Sequence, residues 1–357
     1  MKQRIERLRE KMSRQDMPYL LITDPNNRFY LSGFTGSTGV LLIGLEKCYF
    51  LTDFRYLEQV KEQCPGYELI KVEQQSVFAS LRQVLKGFKG EKLFFEENHL
   101  TVKEYWELKE VLPNLAILPG SGIVEELRMV KDAEEISLMR QAMAIGDAAF
   151  QHILQMIKPG VAEQELALEL EFFMRRQGAS GTAFDTIVAS GPRSALPHGV
   201  ASERKLQQGD FITMDFGAIY QRYNSDMTRT VVLGEPTAKQ REIYQIVLEA
   251  QLAGLAAVKA GVPAKAVDAA ARRIITERGY GEYFGHGTGH SVGLAIHEKP
   301  AVNTRDETIL QPGMVITIEP GIYLPEWGGV RIEDSVLVTE EGCEILTSSP
   351  KLELLKL

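Results

Sequence analysis

The sequence predicts an α/β N-terminal domain over residues 1–125 and a larger α+β domain over residues 126–357, the second built from two related halves. Three observations lead there. A chain of 357 residues is too long for one ordinary hydrophobic core and suits two. Over its first third, short apolar runs of strand type alternate with stretches of helical periodicity, the pattern of an α/β layer. Beyond that the sequence repeats at a constant offset of 101 residues (158 to 259, 178 to 279). Lys158-Pro159-Gly160-Val161 opens a helical stretch that stops at Gly178, and Lys259-Ala260-Gly261-Val262 opens one that stops at Gly279. Within them Leu166 matches Val267, Leu170 matches Ala271, and Phe173 matches Ile274. Such an echo implies two halves that face each other, with a site at their seam.

In chain order, Ile5, Leu8 and Met12 recur at helical spacing and predict an opening amphipathic helix. Residues 19–23 read as a buried strand, and Asp24-Pro25-Asn26-Asn27 as a turn. Residues 39–43 and 48–52 form the arms of a hairpin around Gly44-Leu45-Glu46-Lys47. Further strands are expected at 92–95 and 115–118, with helices near 77–87 and 102–111. Gly33-Phe34-Thr35-Gly36-Ser37-Thr38-Gly39 lacks the Gly-Lys-Ser/Thr ending of a phosphate loop and leads into a strand, so it reads as an ordinary loop. Gly120-Ser121-Gly122 closes the domain. A long helix begins near Asp132, its apolar stripe passing through Ile136, Met139, Met143, Gly146, Phe150, Ile153 and Ile157 to Lys158-Pro159-Gly160. Ile243, Val247, Ala250 and Ala257 mark its counterpart in the second half. His99 and His152 are assigned to surface or packing.

Composition excludes several classes of function. Hydrophobic content of 44% and charged content of 25% are those of a soluble globular protein. A net charge of −8 argues against a nucleic-acid partner, because phosphate binding needs a basic face. Met1-Lys2-Gln3-Arg4-Ile5-Glu6-Arg7-Leu8 lacks the apolar run of a signal peptide, and no apolar stretch approaches the roughly 20 residues that span a bilayer. Cys48, Cys64 and Cys343 are scattered without metal-ligand spacing and suit a reduced, cytoplasmic protein.

The chemistry gathers between Leu196 and Glu333. Asp215 lies in a strand over 211–217 and Asp226 in one over 226–232. With a turn centred on Tyr220-Gln221, the two face each other, their Cβ atoms about 4.5–5.5 Å apart. Carboxylates that close repel unless cations neutralise them, and two metal ions about 3.5–4 Å apart suit the spacing. Two exposed strand aspartates near a turn fit this pair equally well. Glu319 ends a strand over 315–319, and Glu333 lies in its expected partner over 329–333. Arg331 shares a strand face with Glu333, where it can orient a ligand carboxylate. His286 and His290 are four apart, yet Gly285, Gly287 and Gly289 make a helix there very poor and imply a loop of close approach. His198 in Leu196-Pro197-His198-Gly199 and His297 in Ile296-His297-Glu298 complete the group. Two Asp, one His and two Glu are the donors of a carboxylate-rich site for two metals.

With Leu196-Pro197-His198-Gly199, Asp215 and Asp226, Gly285-His286-Gly287-Thr288-Gly289-His290, Ile296-His297-Glu298, Glu319-Pro320-Gly321 and Arg331-Ile332-Glu333, the chain from about 127 onward resembles the pita-bread metallopeptidases. These include aminopeptidase P, prolidase and methionine aminopeptidase. Residues 1 to about 125, with Leu51-Thr52-Asp53-Phe54-Arg55-Tyr56, are similar to the N-terminal domain of the creatinase and Xaa-Pro peptidase branch. The resemblance implies a pita-bread catalytic domain with a pseudo-twofold repeat. It implies metal ligands at Asp215, Asp226, His290, Glu319 and Glu333, with Asp226 and Glu333 bridging two divalent ions. It gives His198, His286 and His297 to substrate and transition state, and Arg331 to support of the ligands. Glu319 doubles as proton acceptor for a water or hydroxide between the metals. Oxygen-rich ligation favours Mn²⁺, with Co²⁺ or Zn²⁺ also able to load.

The activity expected from the resemblance is that of an Xaa-Pro aminopeptidase on proline-containing peptides, with an Xaa-Pro dipeptidase (prolidase) as the alternative and a homodimer as the assembly. Prolidase-like members often carry an arginine shortly after the His-Glu motif to hold a dipeptide's carboxylate. Here Ala301 follows His297-Glu298-Lys299-Pro300, and Arg193, Lys299 or Arg305 could substitute. Methionine aminopeptidases usually lack this N-terminal domain. A non-catalytic binding module on the same fold would be expected to have lost ligands, and none is lost.

Overall fold

The structure, a computed structural model, describes all residues except 74–75, 86–91 and 121. It forms two compact units, Met1–Arg128 and Met129–Leu357. No helix among the described residues is long and apolar enough to cross a membrane.

The first unit holds helices α1 (Lys2–Arg14), α2 (Pro25–Ser32), α3 (Leu57–Gln63), α4 (Val77–Leu85), α5 (Val102–Val111) and α6 (Ile123–Met129), the last reaching the boundary. Its strands are β1 (Tyr19–Ile22), β2 (Val40–Gly44), β3 (Cys48–Thr52), β4 (Glu68–Lys71), β5 (Lys92–Phe95) and β6 (Ala116–Pro119). They form one sheet in the order β4-β3-β2-β1-β5-β6, antiparallel at its centre and parallel at both edges. Leu21, Leu42, Leu51 and Leu93 pack with Phe78 and Leu81 of α4 and Leu108 of α5, which is the α/β layer expected. The hairpin around Gly44–Lys47 forms as expected, with Gly44 N donating to Lys47 O. Asp24-Pro25-Asn26-Asn27 is not a turn but a helix start. Asp24 caps α2 by accepting from Asn27 N at 2.8 Å, and Pro25 takes the first helical position, where its missing N–H costs nothing. Positions 86 and 87 of the expected helix, and Ser121 of the expected boundary, lie outside the described residues.

The second unit repeats one motif. In its first half, α7 (Ala133–Ile153) and α8 (Glu163–Arg176) cover a sheet of β8 (Ile187–Ser190), β9 (Phe211–Phe216) and β12 (Met227–Val232). Ile145, Phe150, Leu166, Val188, Ile212, Met214 and Val231 fill that interface. In its second half, α9 (Ala238–Ala257) and α10 (Ala264–Glu277) cover β13 (Gly289–Ser291), β14 (Glu298–Val302), β15 (Val315–Ile318), β18 (Asp334–Val338) and β19 (Cys343–Ile345). The core there includes Leu255, Val267, Ile316, Ile318 and Val336. Each middle strand pair is extended past a break: β10 (Ala218–Tyr220) and β11 (Tyr223–Asn224) join β7 (Gly181–Thr182), and β16 (Gly321–Leu324) pairs with β17 (Gly328–Arg331).

The echo at 101 residues is therefore structural. Gly160 N donates to Leu206 O and Gly261 N to Leu310 O, both at 2.9 Å. Gly160 and Gly261 have φ of 88° and 83°, and Gly178 and Gly279 end their helices at 101° and 84°, backbone that side chains resist. The long helix α7 stops at Ile153, short of the expected Lys158-Pro159-Gly160, although Ile157 remains buried.

Candidate metal centre

The carboxylates stand at the breaks in the two hairpins. In the first, Asp215 is the fifth residue of β9, Gly217 separates β9 from β10, and Asp226 directly precedes β12. A Cβ on Gly217 would lie 1.9 Å from Ser225 O, so only glycine lets the arms come this close. In the second, Glu319 and Pro320 separate β15 from β16, and Glu333 directly precedes β18.

The expected register of the first hairpin is corrected. Asp215 pairs with Thr228, not with Asp226. The turn is centred on Gln221-Arg222, both at positive φ (45° and 76°), and Tyr220 pairs with Tyr223. That moves the partner by two residues, which keeps Asp226 on the face of Asp215 but on the diagonal. The carboxylates still meet. One oxygen from each of Asp215, Asp226 and Glu333 lies within 4.8 Å of the others. His290 Nε2 stands 3.5 Å from Asp226 Oδ2 and 3.5 Å from Glu319 Oε1. The five expected ligands thus fall into two overlapping sets that share Asp226.

Electrostatics set these sets apart from ordinary ion pairs. Burial raises Asp226 well above the usual carboxylate range, helped by the charges of Asp215 and Glu319. Glu333 is raised in the same way by burial and by Asp226, Glu319 and Asp215. Burial pushes Glu319 to about 8, against the opposing pull of Arg331. Asp215 Oδ1 and Glu333 Oε1 are buried without a hydrogen-bond partner among the described residues. Buried, unsatisfied oxygens crowded together call for a cation. His290 fits the same need, because its Nδ1 lies 3.1 Å from Ser291 O and must donate there, which leaves the Nε2 lone pair facing the carboxylates. The donor set suits a divalent metal.

Arg331 supports the cluster from across the seam. Its guanidinium donates to Asp215 Oδ2 at 2.7 Å, Thr228 Oγ1 at 3.0 Å, Tyr323 Oη at 2.9 Å and Pro197 O at 3.2 Å. The carboxylate it orients is therefore that of Asp215 in the other hairpin. Thr228 relays the contact by donating to Glu333 Oε2 at 2.8 Å.

His198, His286, His290 and His297 line one cavity of about 810 Å³ together with Asp215, Asp226, Glu319 and Arg331. Non-helical backbone carries His286, as its glycines imply. Its Nδ1 donates to Gly287 O at 2.7 Å, and its Nε2 accepts from Tyr323 Oη at 2.8 Å. Burial lowers it to about 4, so the ring is neutral, with both nitrogens engaged. His297 packs edge-on to His290 at 4.4 Å between centroids, and burial and neighbouring imidazoles lower its pKa too.

Three contributors escape the sequence reading. Tyr323 bridges Arg331 and His286, and only its place two residues after Gly321 on a strand facing inward hints at this. Asp268 of α10 accepts from Thr288 N and Oγ1 and from Arg272, which in turn holds the carbonyls of Phe284 and His286. Glu163 of α8 plays a comparable part near His198. Asp268 shares the apolar helix face of Ala264, Val267 and Ala271, and a charge on such a face was a signal open to periodicity.

Residues 137–340 match metallopeptidase family M24, and residues 4–130 match the creatinase/prolidase N-terminal domain. The chain belongs to metallopeptidase family M24. Among solved structures, an Xaa-Pro dipeptidase from Bacillus anthracis is 50% identical and superposes with a TM-score of 0.97 over 99% of each chain. An X-Pro aminopeptidase from Thermotoga maritima MSB8 is 41% identical, with a TM-score of 0.88 over 95% of this chain and 97% of that one. The Xaa-Pro dipeptidase of Pyrococcus furiosus is 42% identical over 353 residues, which cover 98% of this chain and 99% of the relative. The pita-bread fold behind a creatinase-type N-terminal domain is thereby established for this M24 peptidase, and M24 peptidases work with divalent metal.

Proposed function

We propose that this M24 enzyme is an Xaa-Pro dipeptidase, which reverses the order of the two activities expected from sequence. Relatives named as Xaa-Pro dipeptidases at 42% and 50% identity over nearly the whole chain support this order. The observation that carries it in the structure is Arg305. A dipeptide presents a free carboxylate next to the bond to be cut, and its recognition calls for a cation. Arg305 lines the cavity, and its guanidinium has no hydrogen-bond or ion-pair partner among the described residues. Of the other two candidates, Arg193 is committed to Glu163 and to Val200 O, and Lys299 is not part of the lining.

In this reading Asp215, Asp226, His290, Glu319 and Glu333 would hold two divalent ions, Mn²⁺ being favoured by their oxygen-rich donors. Such ions, when bound, supply Lewis acidity and make water nucleophilic near neutral pH. The chain's own groups do the rest. Glu319 lines the cavity, and its carboxylate, held ionised once cations neutralise the cluster, would take up the proton of the attacking water. His297, neutral and at the cavity wall, donates to the developing oxyanion, and His198 contacts the substrate beside the scissile bond. Tyr323 and Gly287 O fix the ring of His286, and Arg331 fixes Asp215. Proline's nitrogen carries no hydrogen, so the substrate must be gripped by its flanking groups. A dimer in the cytoplasm, with Cys48, Cys64 and Cys343 unpaired, completes the reading.

The test compares an Xaa-Pro dipeptide with an Xaa-Pro-Yaa tripeptide, with and without chelator. The dipeptide is expected to give the higher kcat/KM, and Arg305→Ala to raise its KM about tenfold or more by removing a charged contact. A tripeptide preference in the wild type returns the assignment to the aminopeptidase.

A further inference from the structure

We propose that Glu163 is a positioning residue that sets where His198 sits in the cleft, an inference that rests on the substrate role given to His198 above. His198 is exposed to the cavity, and its ring makes no hydrogen bond among the described residues. Its place is therefore fixed by the backbone of its loop. That loop leaves β8 at Ser190 and comes back at Ser202, and one carboxylate holds both ends.

Glu163 Oε1 accepts from Ser190 N and Ser190 Oγ, each at 2.7 Å. Its Oε2 accepts from Ser202 N at 3.0 Å and Ser202 Oγ at 2.6 Å, and also from Arg193 Nη1. Arg193 then reaches from inside the loop to Val200 O at 2.8 Å. The Glu163 side chain is 0% exposed while that of Arg193 is 28% exposed. A fully buried carboxylate with five donors, all from this one loop, is a heavy commitment for a residue with only a packing role. At the far side of the loop, Arg331 donates to Pro197 O, next to His198.

The second half uses the same device. Asp268 of α10, also buried, pairs with Arg272, and Arg272 holds the carbonyls on either side of Gly285, next to His286. In each half, then, a buried carboxylate of the helix behind the sheet is joined to an arginine that ties a histidine-bearing loop, Arg193 of the loop itself in the first half and Arg272 of α10 in the second. His286 also has Tyr323 to hold its ring, whereas His198 has only its loop. Glu163 is the more decisive clamp for that reason.

A double-mutant cycle on the metal-loaded full chain tests this. His198→Ala should lower kcat/KM for an Xaa-Pro dipeptide about 100-fold, and Glu163→Gln about tenfold. In the His198→Ala background, Glu163→Gln should change it less than twofold, because a residue that acts through His198 has nothing left to act on. Losses that multiply, or a Glu163→Gln enzyme within twofold of wild type, overturn the clamp. If Glu163→Gln does not fold, Arg193→Gln takes its place in the cycle under the same criteria, since it removes the loop's inner tie while leaving Glu163 four donors. A wild type inactive on every Xaa-Pro substrate would sink the peptidase reading instead. The clamp is then judged by the rate at which diethyl pyrocarbonate modifies His198, followed by peptide mass spectrometry. That rate should change at least threefold in Glu163→Gln while His99 is unaffected, and equal rates reject the clamp.

Discussion

The two hairpins that carry the carboxylates deliver them differently. In the second, ladders on both sides of the break share one register, Ile318 with Asp334 and Gly321 with Arg331, so Glu319 and Glu333 stand level with each other. In the first, Asp215 faces Thr228, and Asp226 sits two residues nearer the turn. The turns explain the difference. Two residues, Gln221 and Arg222, join Tyr220 to Tyr223, whereas three, Pro325, Glu326 and Trp327, join Leu324 to Gly328. One hairpin thus offers longer arms on a single rung and the other shorter arms on a diagonal. The strands alongside differ too. Ser190, paired with Ile212, lies 101 residues before Ser291, which is paired with Ile316, and the residues before these two serines are Ala189 and His290. Only the second half supplies an imidazole to these donor sets. Pseudo-symmetry has made the scaffold, and departures from it have made two unequal sets of donors.

The strongest way to break this comparison is to remove the residue both sets share. Asp226→Asn is expected to lower kcat/KM at least ~10³-fold, a loss of about 4 kcal/mol in transition-state stabilisation. Elemental analysis should find fewer than two metal equivalents in the mutant. Full turnover by this variant would refute the site. Asp215→Asn should be milder in metal content, because Asp215 belongs to one set only.

Arg331 is the next lever, since it lies in the second hairpin and serves the first. Arg331→Lys keeps the charge but cannot reach four acceptors at once, and is expected to cost about 10–100-fold in activity or metal affinity. Activity within twofold of wild type would mean that the seam is held by the backbone alone.

Metal removal compares the halves through pH. Glu319 keeps its proton in the folded chain up to about 8, far above its ordinary value of 4.5. The folded state therefore binds more protons than the unfolded one between those limits, and stability present below about pH 4.5 is lost as pH rises toward 8. Chelated protein should lose on the order of 1 kcal/mol per pH unit across that window in urea unfolding. Protein with metal restored should be nearly flat, and Glu319→Gln should weaken the slope of the chelated form. A chelated protein whose stability rises over the same range contradicts the burial argument.

What could be read in the sequence divides along the same line. Glu319 and Glu333 were placed by their breaks, because Pro320-Gly321 and the Pro325-Glu326-Trp327-Gly328 stretch announce themselves. Asp215 and Asp226 were found as residues but paired on the wrong rung, since Gln221 and Arg222 carry no glycine or asparagine to mark a turn at positive φ. Asp24 hid a helix start for the opposite reason, its Asp-Pro-Asn-Asn run being equally good turn chemistry. Two long-range partnerships were invisible in a different way, although Arg331 itself was expected to support a ligand carboxylate. Glu163 with Ser190 and Ser202, and Arg331 with Asp215, are contacts over long sequence separations, which periodicity does not record.

The smallest expected effect is also the sharpest test of what sets the register. Gln221 is exposed and held at φ 45°, where a side chain is strained and glycine is not. Gln221→Gly should relieve that strain and stabilise the protein by about 0.5 kcal/mol, after the added freedom of the unfolded chain is counted. That is a rise in Tm of roughly 1–2 °C in a unit of this size. If the β9–β12 ladder fixes Asp215 and Asp226, kcat/KM should stay within twofold while Tm climbs. If activity falls instead, the strained turn was holding the diagonal in place, and the unequal geometry of the two hairpins is imposed from the tip rather than from the sheet.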